Sequence, residues 1–129
     1  MKLSLKIFLI GIIAILFIAS IGAIASDKLN FSYSYLSIIS FLIYASIAFI
    51  TTRKVNKKTG IILATVLGFI DATIGWKIST LLGANTGSSS IEITPTIWIL
   101  TAMFMSGVAA LFGLFGSWLA VKMNKNSQP

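Results

Sequence analysis

With three acidic residues, no histidine and no cysteine, this chain of 129 residues has few ways to do chemistry. Two of the acids, Asp27 and Glu92, lie between hydrophobic segments, and the third, Asp71, sits inside one, in the stretch Gly68 to Gly83, GFIDATIGWKISTLLG. An ionisable side chain at mid-membrane depth costs roughly 2.5 to 3.5 kcal/mol on insertion scales, so Asp71 requires a partner or a task. The missing residue types exclude imidazole and thiolate metal sites, cysteine nucleophiles, Ser-His-Asp triads and disulfides together. A lone buried acid forms no nucleophile and base pair, so the chain is expected to be no enzyme and to hold no metal or cofactor.

The groups that could meet Asp71 lie on the preceding hydrophobic segment, Phe31 to Thr52. There Tyr33, Ser37, Ser40, Tyr44, Ala48 and Thr51 recur at steps of three and four, which places them on one face of a helix. In a membrane such a stripe bonds to neighbouring helices or lines a polar cavity. Only the seven residues Arg53 to Thr59 separate this segment from the next, so the two are expected to form an antiparallel hairpin. Pairing Thr52 with Gly60 and counting inward brings Asp71 opposite about Phe41, with Ser40 and Tyr44 nearest. A protonated carboxyl can donate to one hydroxyl and accept from the other, which satisfies it without burying a charge.

Hydrophobic residues make up 57% of the chain and charged residues 10%, far from the quarter usual in soluble domains. At about 20 residues per crossing, the length holds four spanning helices and no soluble domain. The expected architecture is all-α: a single membrane domain over 1–129, an antiparallel up-down bundle of four helices at about 7–25, 31–52, 60–83 and 96–121. The first segment also has features of a signal peptide, because Ala23-Ile24-Ala25 before Ser26 has the small-x-small form of a cleavage site. Its nineteen uncharged residues exceed the usual h-region of about 7 to 15, which favours a retained helix.

Small residues mark the packing faces. Gly60, Ala64, Gly68, Asp71, Gly75 and Ser79 fall within a third of the circumference of the third helix, and bulky residues fill the rest. Ala102, Ser106, Ala109, Gly113, Gly116 and Ala120 make a second such stripe on the fourth helix, opened by Pro95. Small-xxx-small ridges let helix backbones approach closely, so both faces are expected to pack on protein. Lys77 lies on the bulky side, away from the Asp71 face, where its stem can snorkel to the headgroups beside Trp76.

The net charge of +7 reads as topology, because no basic surface interleaved with aromatics offers a groove for nucleic acid. Lys2, Lys6, Arg53, Lys54, Lys57, Lys58, Lys122 and Lys125 put eight basic residues on one side against Lys28 on the other. The positive-inside rule then places both termini in the cytoplasm of a multi-pass protein of the plasma (inner) membrane. Arg53, Lys54, Lys57 and Lys58 form its cytoplasmic anchor, a cluster that also suits anionic lipid headgroups. Asn30-Phe31-Ser32 matches the glycosylation pattern.

The string G-x-x-D-A-T-x-G-W-x-I-S-x-x-x-G, running from Gly68 through Asp71, Ala72, Thr73, Gly75, Trp76, Ile78 and Ser79 to Gly83, resembles a core motif of small uncharacterised bacterial four-helix membrane proteins. That likeness covers one helix of four and implies no activity. In size and helix count the chain is also similar to small multidrug-resistance transporters, but it departs from them in two ways. Their membrane acid is a Glu in the first helix, where this chain has none, and their dual-topology members balance the loop charge.

Two functional classes follow, of which the first is the expected one and the second the alternative. In one, Asp71 and the hydroxyls are structural, and the chain is an accessory or partner-binding bundle in the lipid bilayer, alone, as a homo-oligomer or beside another membrane protein. In the other, Asp71 is the coupling site of a minimal proton- or cation-coupled transporter acting as an oligomer. The second class needs more polar groups converging on the acid than two hydroxyls.

Overall fold

A computed structural model describes residues 2–87 and 94–125, and among these the only regular structure is helical. Residues 88–93 of the connection between the third and fourth spans, Glu92 among them, lie outside the described residues. Helix α1 runs Leu3–Lys28, and a 3₁₀ turn, Tyr33–Leu36, leads into α2, Ser37–Lys54. The third span comprises α3, Lys57–Ile70, a π-helical turn, Asp71–Gly75, and α4, Trp76–Leu81. Helix α5 is Pro95–Lys125. All four spans are long and apolar enough to cross a membrane. Inside a bilayer no water can satisfy the backbone, so apolar segments of this length close their hydrogen bonds internally as helices.

The bounds differ from the expected ones for local reasons. Helix α1 continues past its apolar run through Asp27 and Lys28, because backbone hydrogen bonding does not stop where hydrophobicity does. The cleavage-like Ala23-Ile24-Ala25 thus lies within a helix, and Ser26 beyond it is buried. Helix α3 begins three residues earlier than Gly60, at Lys57, where the Asn56 side chain caps it by accepting from the Thr59 N–H at 2.8 Å. Helix α4 stops at Leu81. Gly83, at φ +77°, turns the chain, with its N–H donating to the Thr80 carbonyl and the Ala84 N–H to that of Ser79. This is a glycine-terminated Schellman ending, which a residue with a Cβ would strain.

Packing follows the small residues. A Cβ on Gly68 would meet the Ala109 methyl, one on Gly113 would meet that of Ala64 at 2.8 Å, and Gly60 faces Ser117, so α3 and α5 run in opposite directions. Gly60 also faces Ala48 and Thr52 of α2, while Asp71 meets Tyr44 further in, and this pair too runs antiparallel. Gly116 lies on the backbone carbonyl of Ala45, and Thr52 donates to Ser117 at 2.8 Å, which seats α5 against α2. Dispersion between closely fitted helices replaces the hydrophobic drive that lipid cannot supply. Around these contacts Ile15, Tyr44, Ala48, Ala64, Leu67 and Ala109 form the buried core.

Sequence spacing missed one face. Helix α1 buries Ile7, Gly11, Ile15, Ala19, Gly22, Ala23 and Ser26, again at steps of three and four, with Gly11 against Leu67 and Ile47 and Gly22 against Leu36. The intervening isoleucines mask it, because they are equally apolar on the lipid side.

Gly116→Leu is expected to lower stability by about 1–3 kcal/mol or prevent folding, since its side chain must displace the α2 backbone. Gly107→Leu, with open space around the Cβ position, should be silent. Thermal melting of the detergent-solubilised variants, followed by helical circular dichroism, checks the difference.

Candidate functional site

At Asp71 the third span changes its winding. The Trp76 N–H reaches past the usual carbonyl of Ala72 to that of Asp71, the i→i−5 bond of a π turn. A π turn absorbs one extra residue, which rotates everything beyond it by about 100° relative to an unbroken helix. The expected single ridge is therefore two. Gly60, Ala64 and Gly68 face α2 and α5, whereas Gly75 faces α1, with the Ala19 methyl 3.9 Å from its Cβ position. Ser79 is buried, and its hydroxyl donates to the Trp76 carbonyl at 2.8 Å. Ser106 is half-buried and donates to the Ala102 carbonyl at 2.7 Å.

Several neighbours accommodate the π turn. The Thr73 hydroxyl donates to the Phe69 carbonyl at 2.7 Å, a back-bond of the kind that bends helices. From α5, the Trp98 indole N–H donates to the Ala72 carbonyl at 3.3 Å, the group that Trp76 passes over. Gly75 leaves room for the acid: a Cβ there would lie 2.7 Å from Asp71 Oδ1.

The Asp71 carboxyl is half-buried and accepts a hydrogen bond from the Tyr44 hydroxyl. Tyr44 itself is fully buried, held by its tilted contact with Phe41, which stacks on Phe112 of α5 at 4.7 Å between ring centres. Ser40, one turn before Tyr44, is buried and interacts with both the carboxyl and the phenol. The structure therefore brings Asp71, Ser40 and Tyr44 together.

Beside this cluster opens a cavity of about 200 Å³, lined by Asp71, Ser40, Ser37, Tyr33, Thr101 and Trp76, with Ile18, Leu36, Ala72 and Met105 supplying apolar walls. At ~30 Å³ per molecule it has room for roughly half a dozen waters. Tyr33 and Ser37 belong to the hydroxyl stripe read from the sequence. Thr101 and Trp76 do not, and no spacing rule on that segment could find them, because one follows the π turn and the other lies on α5.

Asn85 closes this end of the bundle. Its N–H donates to Ser26 Oγ at 3.1 Å, its carbonyl accepts the Tyr33 N–H at 2.8 Å, and its amide reaches Asn30 at 3.5 Å. The basic anchor is remote from the acid. Arg53 and Lys54 end α2 and Lys57 and Lys58 begin α3, all exposed, with the Arg53 guanidinium 5.7 Å from the centre of the Phe49 ring. Lys122 lies over Trp118 at 4.9 Å. No group of histidine, cysteine or acidic residues capable of holding a metal occurs among the described residues.

Tyr44→Phe should cost about 1–3 kcal/mol of stability, because it leaves a buried carboxyl oxygen without its donor. The double variant with Asp71→Asn should cost less than the sum of the singles, the sign of a direct coupling. Denaturant titrations in detergent micelles measure both. Comparison with protein-family models, with curated proteins and with solved structures finds no match to this chain.

Proposed function

We propose that the chain is a multi-pass membrane protein of the plasma (inner) membrane whose functional centre is the Asp71 cavity, a proton- or cation-binding site of transport type working in an oligomer. The observation that carries this reading is a space of about 200 Å³ beside one membrane-depth acid, walled by Tyr33, Ser37 and Ser40 on one side and Thr101 on the other, with Tyr44 donating to the carboxyl. A carboxyl needed only for packing requires a donor, which Tyr44 supplies. It does not require an adjoining cavity with further hydroxyl-bearing residues on its walls. The π turn supports the same reading, since such turns occur frequently at functional sites. Four helices enclose little volume, which is why the reading includes an oligomer.

The accessory-bundle reading is favoured by the Tyr44 to Asp71 hydrogen bond, which satisfies the acid from within. Infrared difference spectroscopy of lipid-reconstituted protein separates the two, with Asp71→Asn assigning the carboxyl band. Rapid shift of that band in D₂O, together with a proton or monovalent-cation flux in liposomes that Asp71→Asn abolishes, is the expected result. A band that does not exchange, in liposomes that show no flux, gives the site a structural role.

The basic residues favour both termini in the cytoplasm. Contacts of Gly11 with Ile47 and of Gly22 with Leu36 put the start of α1 at the Arg53 end of the bundle. The basic residues Lys2, Lys6, Arg53, Lys54, Lys57, Lys58, Lys122 and Lys125 thus share one end, as the positive-inside rule requires of a cytoplasmic face. The chain has no native cysteine, so single substitutions report cleanly. Lys57→Cys in intact cells should resist a membrane-impermeant maleimide, and Thr86→Cys should react with it.

A further inference from the structure

The backbones of helices α4 and α5 stay apart, with no Cα atoms of the two within 8 Å. Between them three hollows of about 350, 210 and 290 Å³ follow one another along the same flank of Trp98, which lines all three. The first is bordered by Trp76, Lys77, Thr80 and Leu81, the second reaches inward to Thr73 and Ile74, and the third ends at Phe69 and Met103. From Lys77 to Phe69 is eight residues, roughly 12 Å of helix, which is most of one leaflet of a hydrocarbon core ~30 Å thick. The inner two hollows expose only apolar surface. The outer one carries a cation and two indoles, the side chains that favour the headgroup level.

Lys77 has no carboxylate partner among the described residues. Asp71 is engaged by Tyr44 in the separate cavity, and Asp27 lies at the exposed end of α1. Lys77 follows the π turn on the side that borders α5, and Trp98 holds the opposite wall through the Ala72 carbonyl.

The geometry points to one occupant: an anionic phospholipid of the leaflet on the Lys77 side, its phosphate on the Lys77 ammonium and one acyl chain running past Trp98 to Phe69 and Met103. Charge complementarity selects the head, and the depth and apolarity of the inner hollows select the tail. This site shares with the Asp71 cavity only the Trp76 wall, and stands whether or not that cavity carries anything.

The test uses the full chain with Trp76→Phe and Trp118→Phe, which leaves Trp98 as the only indole, reconstituted in phosphatidylcholine vesicles containing brominated-chain lipid. Brominated phosphatidylglycerol should half-quench Trp98 at a mole fraction about fivefold lower than brominated phosphatidylcholine does, the size of one lysine's attraction to an anionic headgroup. Lys77→Gln, at an exposed position that leaves the fold intact by circular dichroism, should remove that preference. Thr73→Phe, which fills the middle of the groove, should reduce quenching by both lipids. Equal quenching by the two lipids, or a preference that survives Lys77→Gln, overturns the proposal. So does loss of quenching as the protein-to-lipid ratio rises, which would assign the groove to a second copy of the chain.

Discussion

A carboxyl among apolar helices must find a hydrogen-bond donor inside the protein, and the bond from Tyr44 to Asp71 meets that need while fixing much of the rest. It specifies the register of the second and third spans, which the turn at Val55 and Asn56 and the Asn56 cap then hold from the other end. Gly75, lacking a Cβ, makes room for the carboxyl, which lies on the face that Gly60 turns to α2. Shifting the hairpin by one residue would move the phenol off the acid and bring bulky side chains onto the glycines. Specificity and close packing thus depend on the same alignment.

The small residues decide where the bundle is tight and where it is open. On the half nearer the basic residues, Gly60, Ala64, Gly113 and Gly116 bring three backbones together and leave no space. Towards the other end the ridge of the third span turns to α1, so α5 loses its close partner. The Asp71 cavity and the groove beside Trp98 lie on the two sides of that separation. Both openings come from one extra residue in one helical turn.

The part of this arrangement that depends on counting was legible in the sequence. The four spans follow from length and apolarity, and Tyr44 could be set near Asp71 because a short connection leaves little freedom in register. The stripes on α2 and α5 show because small or hydroxylated residues alternate with bulky ones. The π turn was hidden, since a spacing rule treats the third span as a uniform helix and reads Gly68, Gly75 and Ser79 as one face. The buried face of α1 was hidden for a different reason: isoleucine suits lipid and protein equally. Trp98 and Thr101 were out of reach because they lie on a helix remote in sequence, and how two distant helices pack is not written in periodicity.

Asn85 bonds to residues at the ends of three elements, Ser26 of α1, Asn30 in the following turn and Tyr33 at the entry to α2, from the chain that leaves α4. Mechanically this makes the ends of the first three spans one body. Among the described residues helix α5 makes no hydrogen bond to Asn85, and its glycines meet α2 and α3 towards the opposite end. Tight glycine packing thus holds one half of α5, and the single hydrogen bond from Trp98 to the Ala72 carbonyl ties the other half to the third span.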